Sequence, residues 1–182
     1  MQKVLVFPGA FQYVKNYGGY DGVDIWLKEK SGQEIPVGDY LIGHSLGASF
    51  VLANYNLNSN CKFILINPLI KKRNNINYLL RWLKFLLLVG VKKEKLVPLS
   101  NWLYVFKKII KLLKLDVLNA IQKIPKENIV IFRGKNDKFF CDEEAVKIIK
   151  DNNIQLIEIE AGHSWNEKIA EAVGSSINKN NS

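Results

Sequence analysis

The stretch Tyr40-Leu41-Ile42-Gly43-His44-Ser45-Leu46-Gly47-Ala48-Ser49-Phe50-Val51-Leu52-Ala53-Asn54-Tyr55 decides the fold. It opens as a short apolar strand, Tyr40 to Ile42, and from Leu46 to Tyr55 has the composition of a helix. The pentapeptide Gly43-His44-Ser45-Leu46-Gly47 joins the two. A serine at so tight a strand-to-helix turn is forced into strained backbone geometry. Glycines two residues to either side are needed because side chains there would collide with the neighbouring strand and helix. The turn lifts the hydroxyl to the carboxyl edge of a sheet, beside the amino end of a helix, where developing negative charge is favoured. Chance alone produces Gly-x-Ser-x-Gly in roughly one chain in twenty of this length. Its weight comes from the strand–turn–helix setting.

Working outward, Lys3–Phe7 is a β-branched and apolar run stopped by Pro8-Gly9, and Lys62–Ile66 is a second, ended by Asn67-Pro68. Asn128–Phe132 and Gln155–Ile159 repeat the pattern. Between them the sequence predicts helices over Asp24–Lys30 (closed by Gly32), Asp142–Lys150 and Trp165–Ile177, with a frayed tail over 178–182. Apolar strands without alternation, separated by helices, predict a mostly parallel sheet of about five or six strands covered by helices, an α/β architecture. The segment 69–125 is helical in pattern. Tyr78–Val89 is one helix, the more apolar of two. Trp102–Leu115, starting after Pro98 and Ser100, is another, with Lys107, Lys108, Lys111 and Lys114 on one face and Ile109, Ile110, Leu112 and Leu113 largely on the other. The expected organisation is therefore a core of 1–68 and 126–177 interrupted by a helical insertion.

Composition sets limits. The chain has 182 residues, 48% hydrophobic and 24% charged, which fits one globular domain and excludes wholesale disorder, collagen and coiled coil. Its two cysteines, Cys61 and Cys141, are too few for a stapled secreted scaffold or a Cys-rich zinc site. The apolar run Met1–Phe7 ends too soon for a signal peptide, and Tyr78–Val91 is too short and too charged to span a bilayer. A cytoplasmic protein with reduced thiols is expected. The net charge of +9 is unevenly spread. Lys71 to Lys114 holds 12 Lys or Arg against the single acid Glu94, and the rest of the chain is near neutral. That basic surplus fits either a solvated face over a packed insertion or peripheral contact of 71–114 with an anionic membrane. Nucleic acid is not an expected partner, because no groove-reading or aromatic-interleaved motif accompanies the charge.

A serine hydroxyl is a poor nucleophile unless a base takes its proton, and the chain has only two histidines. His44, next to Ser45, leaves the turn in another direction and suits a structural hydrogen bond. His163 follows the last predicted strand, and Asp137 follows the one before it, so both fall at the same sheet edge as Ser45. Asp137 is the candidate orienting acid. A turn or helix-capping role is its alternative, with Asp142 and Glu143 competing for the orienting position. Cys141 is near but has no base of its own. No Gly-x-Gly-x-x-Gly, P-loop or His-Glu-x-x-His motif is present, and no cofactor or metal is expected.

With serine, acid and histidine in that chain order, residues 1–68 and 126–177 resemble the α/β-hydrolase superfamily, in the manner of its small single-domain serine hydrolases. The resemblance implies a catalytic triad of Ser45, Asp137 and His163, with Gly43 and Gly47 shaping the nucleophile elbow. It implies an oxyanion hole from the amide of Leu46 and that of Ala10, with Phe11 the alternative donor in the loop Phe7-Pro8-Gly9-Ala10-Phe11. It aligns Lys3–Phe7 with the third strand of a full hydrolase, hence a reduced sheet, a thinly covered face and a candidate homodimer. It makes the basic insertion 69–125 a cap over the nucleophile whose Leu, Ile, Phe and Trp side chains would line an acyl pocket. The expected activity is hydrolysis of a carboxylic ester or thioester, on a small-molecule or lipid-like substrate. Haloalkane dehalogenation is disfavoured, since it needs a carboxylate where Ser45 stands. A non-catalytic binding protein docking on membrane or an acidic partner is one alternative, and a small amidase or peptidase another.

Overall fold

Six strands form one sheet in which every neighbouring pair is parallel. They are β1 (Val4–Phe7), β2 (Asp21–Gly22), β3 (Tyr40–His44), β4 (Lys62–Ile66), β5 (Ile129–Gly134) and β6 (Leu156–Ile159), ordered β2-β1-β3-β4-β5-β6. The structure is a computed structural model that describes residues 2–57, 59–71, 75–88 and 93–179. The predicted strands are all present, and β2, two exposed polar and glycine residues with no apolar signal, is additional. The helices are α1 (Leu46–Asn54), α2 (Asn75–Leu88), α3 (Trp102–Leu112), α4 (Val117–Ile121), α5 (Glu143–Asp151) and α6 (Glu167–Lys179).

Alternate side chains of each central strand enter different cores, which is why the strands are apolar throughout. Leu5, Phe7, Leu41, Phe63, Leu65 and Ile131 pack toward α1 and α3 to α5. Val6, Ile42, Ile64, Ile66 and Phe132 pack toward Ile169, Val173 and Ile177 of α6 and toward Tyr17. The second face is the thinner one. Asp142 starts α5 by accepting from the Ala145 amide (3.2 Å), and Asp116 caps α4 by accepting from Asn119 (3.0 Å).

Three local expectations are corrected. Asp24–Lys30 is not a helix; only Lys28–Lys30 makes a 3₁₀ turn. There the Asp24 carboxylate accepts from the Val14 amide (2.7 Å), and Asn101 Oδ1 accepts from the Lys28 amide (2.7 Å), a donor that a helix would have turned to the Asp24 carbonyl. The last helix runs past its predicted end at Ile177: Asn178 and Lys179 complete α6, and 180–182 lie outside the described residues. On α3, Ile110 is 45% exposed rather than turned inward. Lys108 meanwhile folds back, its Nζ donating to the Ile25 carbonyl (2.7 Å) and lying 4.7 Å over the Phe50 ring. Val89 and the basic residues Lys72, Arg73 and Lys92 lie outside the described residues.

The carboxyl ends of the strands gather at one edge: Phe7 before Pro8-Gly9, His44 before Ser45, Ile66 before Asn67, Gly134 before Asp137 and Ile159 before His163. The tightest packing is at Gly47, where an added Cβ would sit 2.0 Å from the Phe7 carbonyl oxygen, a backbone atom that cannot swing aside. Gly47→Ala should therefore cost at least ~3 kcal/mol, about 10 °C of Tm in a chain this long, or prevent folding. Thermal unfolding by circular dichroism measures it, and an unchanged Tm would refute the close approach.

Candidate active site

Ser45 sits between β3 and α1 at φ 53°, ψ −119°, a conformation L-residues rarely adopt, and its side chain is buried. The turn is held by its surroundings. The Ser45 amide donates to the Ile66 carbonyl of β4 (2.8 Å), and a Cβ on Gly43 would approach the Ala48 Cα to 2.5 Å. Leu46 opens α1, so its amide is one of those with no acceptor inside the helix. Across from it the Gly9–Gln12 turn closes with a Gln12 amide to Gly9 carbonyl bond (3.1 Å). Gly9 and Ala10 line the Ser45 pocket, whereas Phe11, at φ 64°, sends its ring into the helical segment, stacked on Trp82 at 4.9 Å.

Asp137 and His163 meet: His163 Nδ1 lies 2.6 Å from Asp137 Oδ2. The loop after β5 folds around the carboxylate, which is fully buried and accepts from the amides of Phe139 (3.0 Å), Phe140 (3.1 Å) and Cys141 (3.0 Å). Burial alone would raise its pKa. The charge and hydrogen bond of His163, with the Cys141 and Phe139 amides, outweigh that and hold the carboxyl far below its ordinary range. The competing acids are engaged elsewhere. Asp142 caps α5 and pairs with Arg81 (3.0 Å), and Glu143 pairs with the buried Arg133 (2.5 Å). Cys141 contributes its backbone: its amide to Asp137 and its carbonyl to Arg133 Nε (2.9 Å). The His163 ring is flanked by Phe140 (4.5 Å between centroids) and by Phe85 of α2 (5.6 Å).

His44 is structural, as its direction out of the turn suggested. Its Nε2 lies 2.8 Å from the His163 carbonyl, which can only accept, so Nε2 carries the proton and the bare Nδ1 faces the Tyr17 hydroxyl at 2.6 Å. Burial, then the charge of His163, lowers its pKa to about 3, so the ring is neutral. Two residues of this scaffold escaped sequence reading. Tyr17 accepts from the Gly9 amide (2.8 Å), and Asn67 binds three strand ends together. Asn67 Nδ2 donates to the carbonyls of His163 (2.8 Å) and Gly162 (3.3 Å), its Oδ1 accepts from the Gly134 amide (2.8 Å), and its backbone is at φ 45°. The only signal at Asn67 was its place just past a strand, before a proline.

Ser45 and His163 share a narrow pocket of about 30 Å³, walled by Gly9, Ala10, Tyr78, Trp82, Phe85 and Phe140. Tyr78 and Trp82 also wall a neighbouring apolar pocket of about 120 Å³, closed by Phe11, Phe106, Ile109, Ile110 and Leu113. The helical segment thus supplies one side of both spaces. Among the described residues no cluster of three His, Cys, Asp or Glu is arranged to hold a metal, and no helix is long and apolar enough to cross a membrane.

No protein-family model and no curated protein matches the chain. Solved structures do. The capsule O-acetyltransferase of Neisseria meningitidis serogroup A is similar over 98% of this chain and 88% of its own, at 17% identity and a TM-score of 0.50. Rv0554 from Mycobacterium tuberculosis is similar over 98% of this chain and 89% of its own, at 13% identity and a TM-score of 0.50. Together with the six-stranded parallel sheet, these likenesses establish the architecture: the chain has a reduced α/β-hydrolase fold.

Proposed function

We propose that this protein is a serine hydrolase that cleaves a carboxylic ester or thioester through an acyl-enzyme on Ser45. The observation that carries the reading is the His163–Asp137 contact at 2.6 Å, made by two loops that meet in the pocket of a serine held at positive φ. Fixed by Asp137 at Nδ1, the His163 ring presents Nε2 as the base for the Ser45 hydroxyl proton. Ser45 Oγ then bonds to the substrate carbonyl carbon, and the oxyanion is held by the amides of Leu46 and Ala10. Collapse breaks the ester or thioester bond, the leaving oxygen or sulfur departs with the proton from His163, and the acyl group stays on Ser45. Water, deprotonated by the same ring, releases the acid and restores the serine. Beyond Tyr78 and Trp82, the apolar pocket suits the acyl chain, which makes the helical segment a cap.

Fluorophosphonate labelling tests the nucleophile without a known substrate. The natural protein should label, Ser45→Ala and His163→Ala should not, and Asp137→Asn should slow ester turnover by roughly three orders of magnitude or more. Failure of the folded natural protein to label, with and without detergent to open the cap, would overturn the reading. A panel of esters, thioesters and amides of graded acyl length then ranks the substrate class, with amides expected to be poorest.

His44 should also make the stability of the fold depend on pH. His44 has a folded pKa of about 3 against an ordinary 6.5, so the unfolded ring takes up a proton between those values that the folded ring refuses. Its contribution is complete above pH 6.5 and is lost as pH falls toward 3, at roughly 1.4 kcal/mol per pH unit for a full proton. Urea unfolding across that range should show His44→Gln with a slope shallower by about one proton. An unchanged slope would show that His44 is charged in the folded protein.

A further inference from the structure

Among the described residues, every large apolar side chain left exposed, Val37 apart, lies between 76 and 110. On α2, Ile76, Leu80 and Leu83 fall within one arc of about 60° at 100° per residue, with Lys84 beside it. On α3, Leu103 and Ile110 repeat the arrangement, with Lys107 and Lys111 on one flank. The opposite sides of both helices carry their buried residues, Tyr78, Trp82 and Phe85 on α2 and Val105, Ile109 and Leu112 on α3. Each helix therefore has an inner apolar stripe that fills the core and an outer apolar ridge edged by lysine. The core accounts for the first stripe and leaves the second unexplained.

Charge selects what meets this face. The segment 71–114 holds 12 basic residues against one acid. Lys71 and Arg81 are engaged with Glu144 and Asp142 at the start of α5, and so fasten the segment to the core. Lys84, Lys107 and Lys111 are exposed beside the ridges. A second copy of this chain would bring the same surplus of positive charge against itself. A nucleic acid would satisfy the lysines and strand the leucines in water. An anionic bilayer takes both, with leucine and isoleucine in the acyl boundary and lysine stems reaching the headgroups. The position also matters. Ile110 belongs both to the ridge and to the wall of the apolar pocket, and that pocket shares Tyr78 and Trp82 with the Ser45 pocket.

We propose that the outer face of α2 and α3 docks this protein on anionic lipid, laying the opening of the apolar pocket against the bilayer so that its substrates are acyl chains drawn from that surface. The docking half stands on the exposed ridges and their charge and does not need Ser45 to be a nucleophile; the substrate half rests on the serine hydrolase reading.

Co-sedimentation of the full chain with vesicles tests it, comparing phosphatidylcholine alone with phosphatidylcholine containing phosphatidylglycerol. Binding should require phosphatidylglycerol and weaken as salt is raised. The pairs Leu80→Ser with Leu103→Ser, and Lys107→Gln with Lys111→Gln, should each lower partitioning on the order of tenfold, with Tm and Ser45 labelling unchanged. No binding to the anionic vesicles, equal binding to both lipid types, or full binding by both variant pairs would overturn the proposal. So would a dimer in solution that the Leu80→Ser, Leu103→Ser pair dissociates while vesicles go unbound, which assigns the face to a second copy. Vesicle binding without Ser45 labelling would refute the hydrolase reading and leave the docking surface standing.

Discussion

The backbone crowding around Ser45 is the constraint on which the site depends. No room remains for a side chain at Gly47 against the Phe7 carbonyl, or at Gly43 against Ala48, so α1 starts hard against the ends of β1 and β3. That contact holds a serine at φ 53°, a conformation costing about 1–3 kcal/mol that the surrounding sheet must over-determine. The restraint continues sideways. The Ser45 amide is tied to Ile66 at the end of β4, and the next residue along that strand, Asn67, ties the end of β5 to the loop that carries His163. Strain at one residue is thus balanced by hydrogen bonds that lock four strand ends into a single edge.

On that edge two histidines of opposite character lie with ring centroids 5.3 Å apart. His44 has spent both nitrogens on the scaffold and is kept neutral by burial. Among the described residues His163 has spent Nδ1 alone, on a carboxylate whose negative charge is stabilised by three backbone amides. The division of roles comes from what each ring is bonded to, since the residue types are identical. Aromatic side chains of α2 then wall the pocket, and α2 and α3 turn a second, lysine-edged apolar face outward.

Much of this was legible in the residues. Gly43 and Gly47 around a serine predict the strained turn, and the placing of Ser45, Asp137 and His163 past the carboxyl ends of three strands predicts which side chains converge. The apolar runs predict the parallel sheet because strands buried on both faces cannot alternate. What escaped had no local signature. β2 is two residues held by pairing with β1 rather than by its own propensity. Asp24 looks like a helix start until its carboxylate is found on Val14, a tertiary bond no window of sequence contains. Asn67 and Tyr17 act through partners far along the chain, and their roles emerge only when the strand ends meet. Ile110 belongs by periodicity to a mostly inward face, and its exposure depends on how far α3 is rotated against the core.

Pre-steady-state release of nitrophenolate from a nitrophenyl ester, with the mass of the acid-quenched protein read in parallel, tests the central claim most directly. An acyl-enzyme on Ser45 predicts a stoichiometric burst followed by slower turnover, and a mass increase equal to the acyl group on the peptide that contains Ser45. Linear release with no adduct, or an adduct that maps to a lysine or a cysteine, would contradict it.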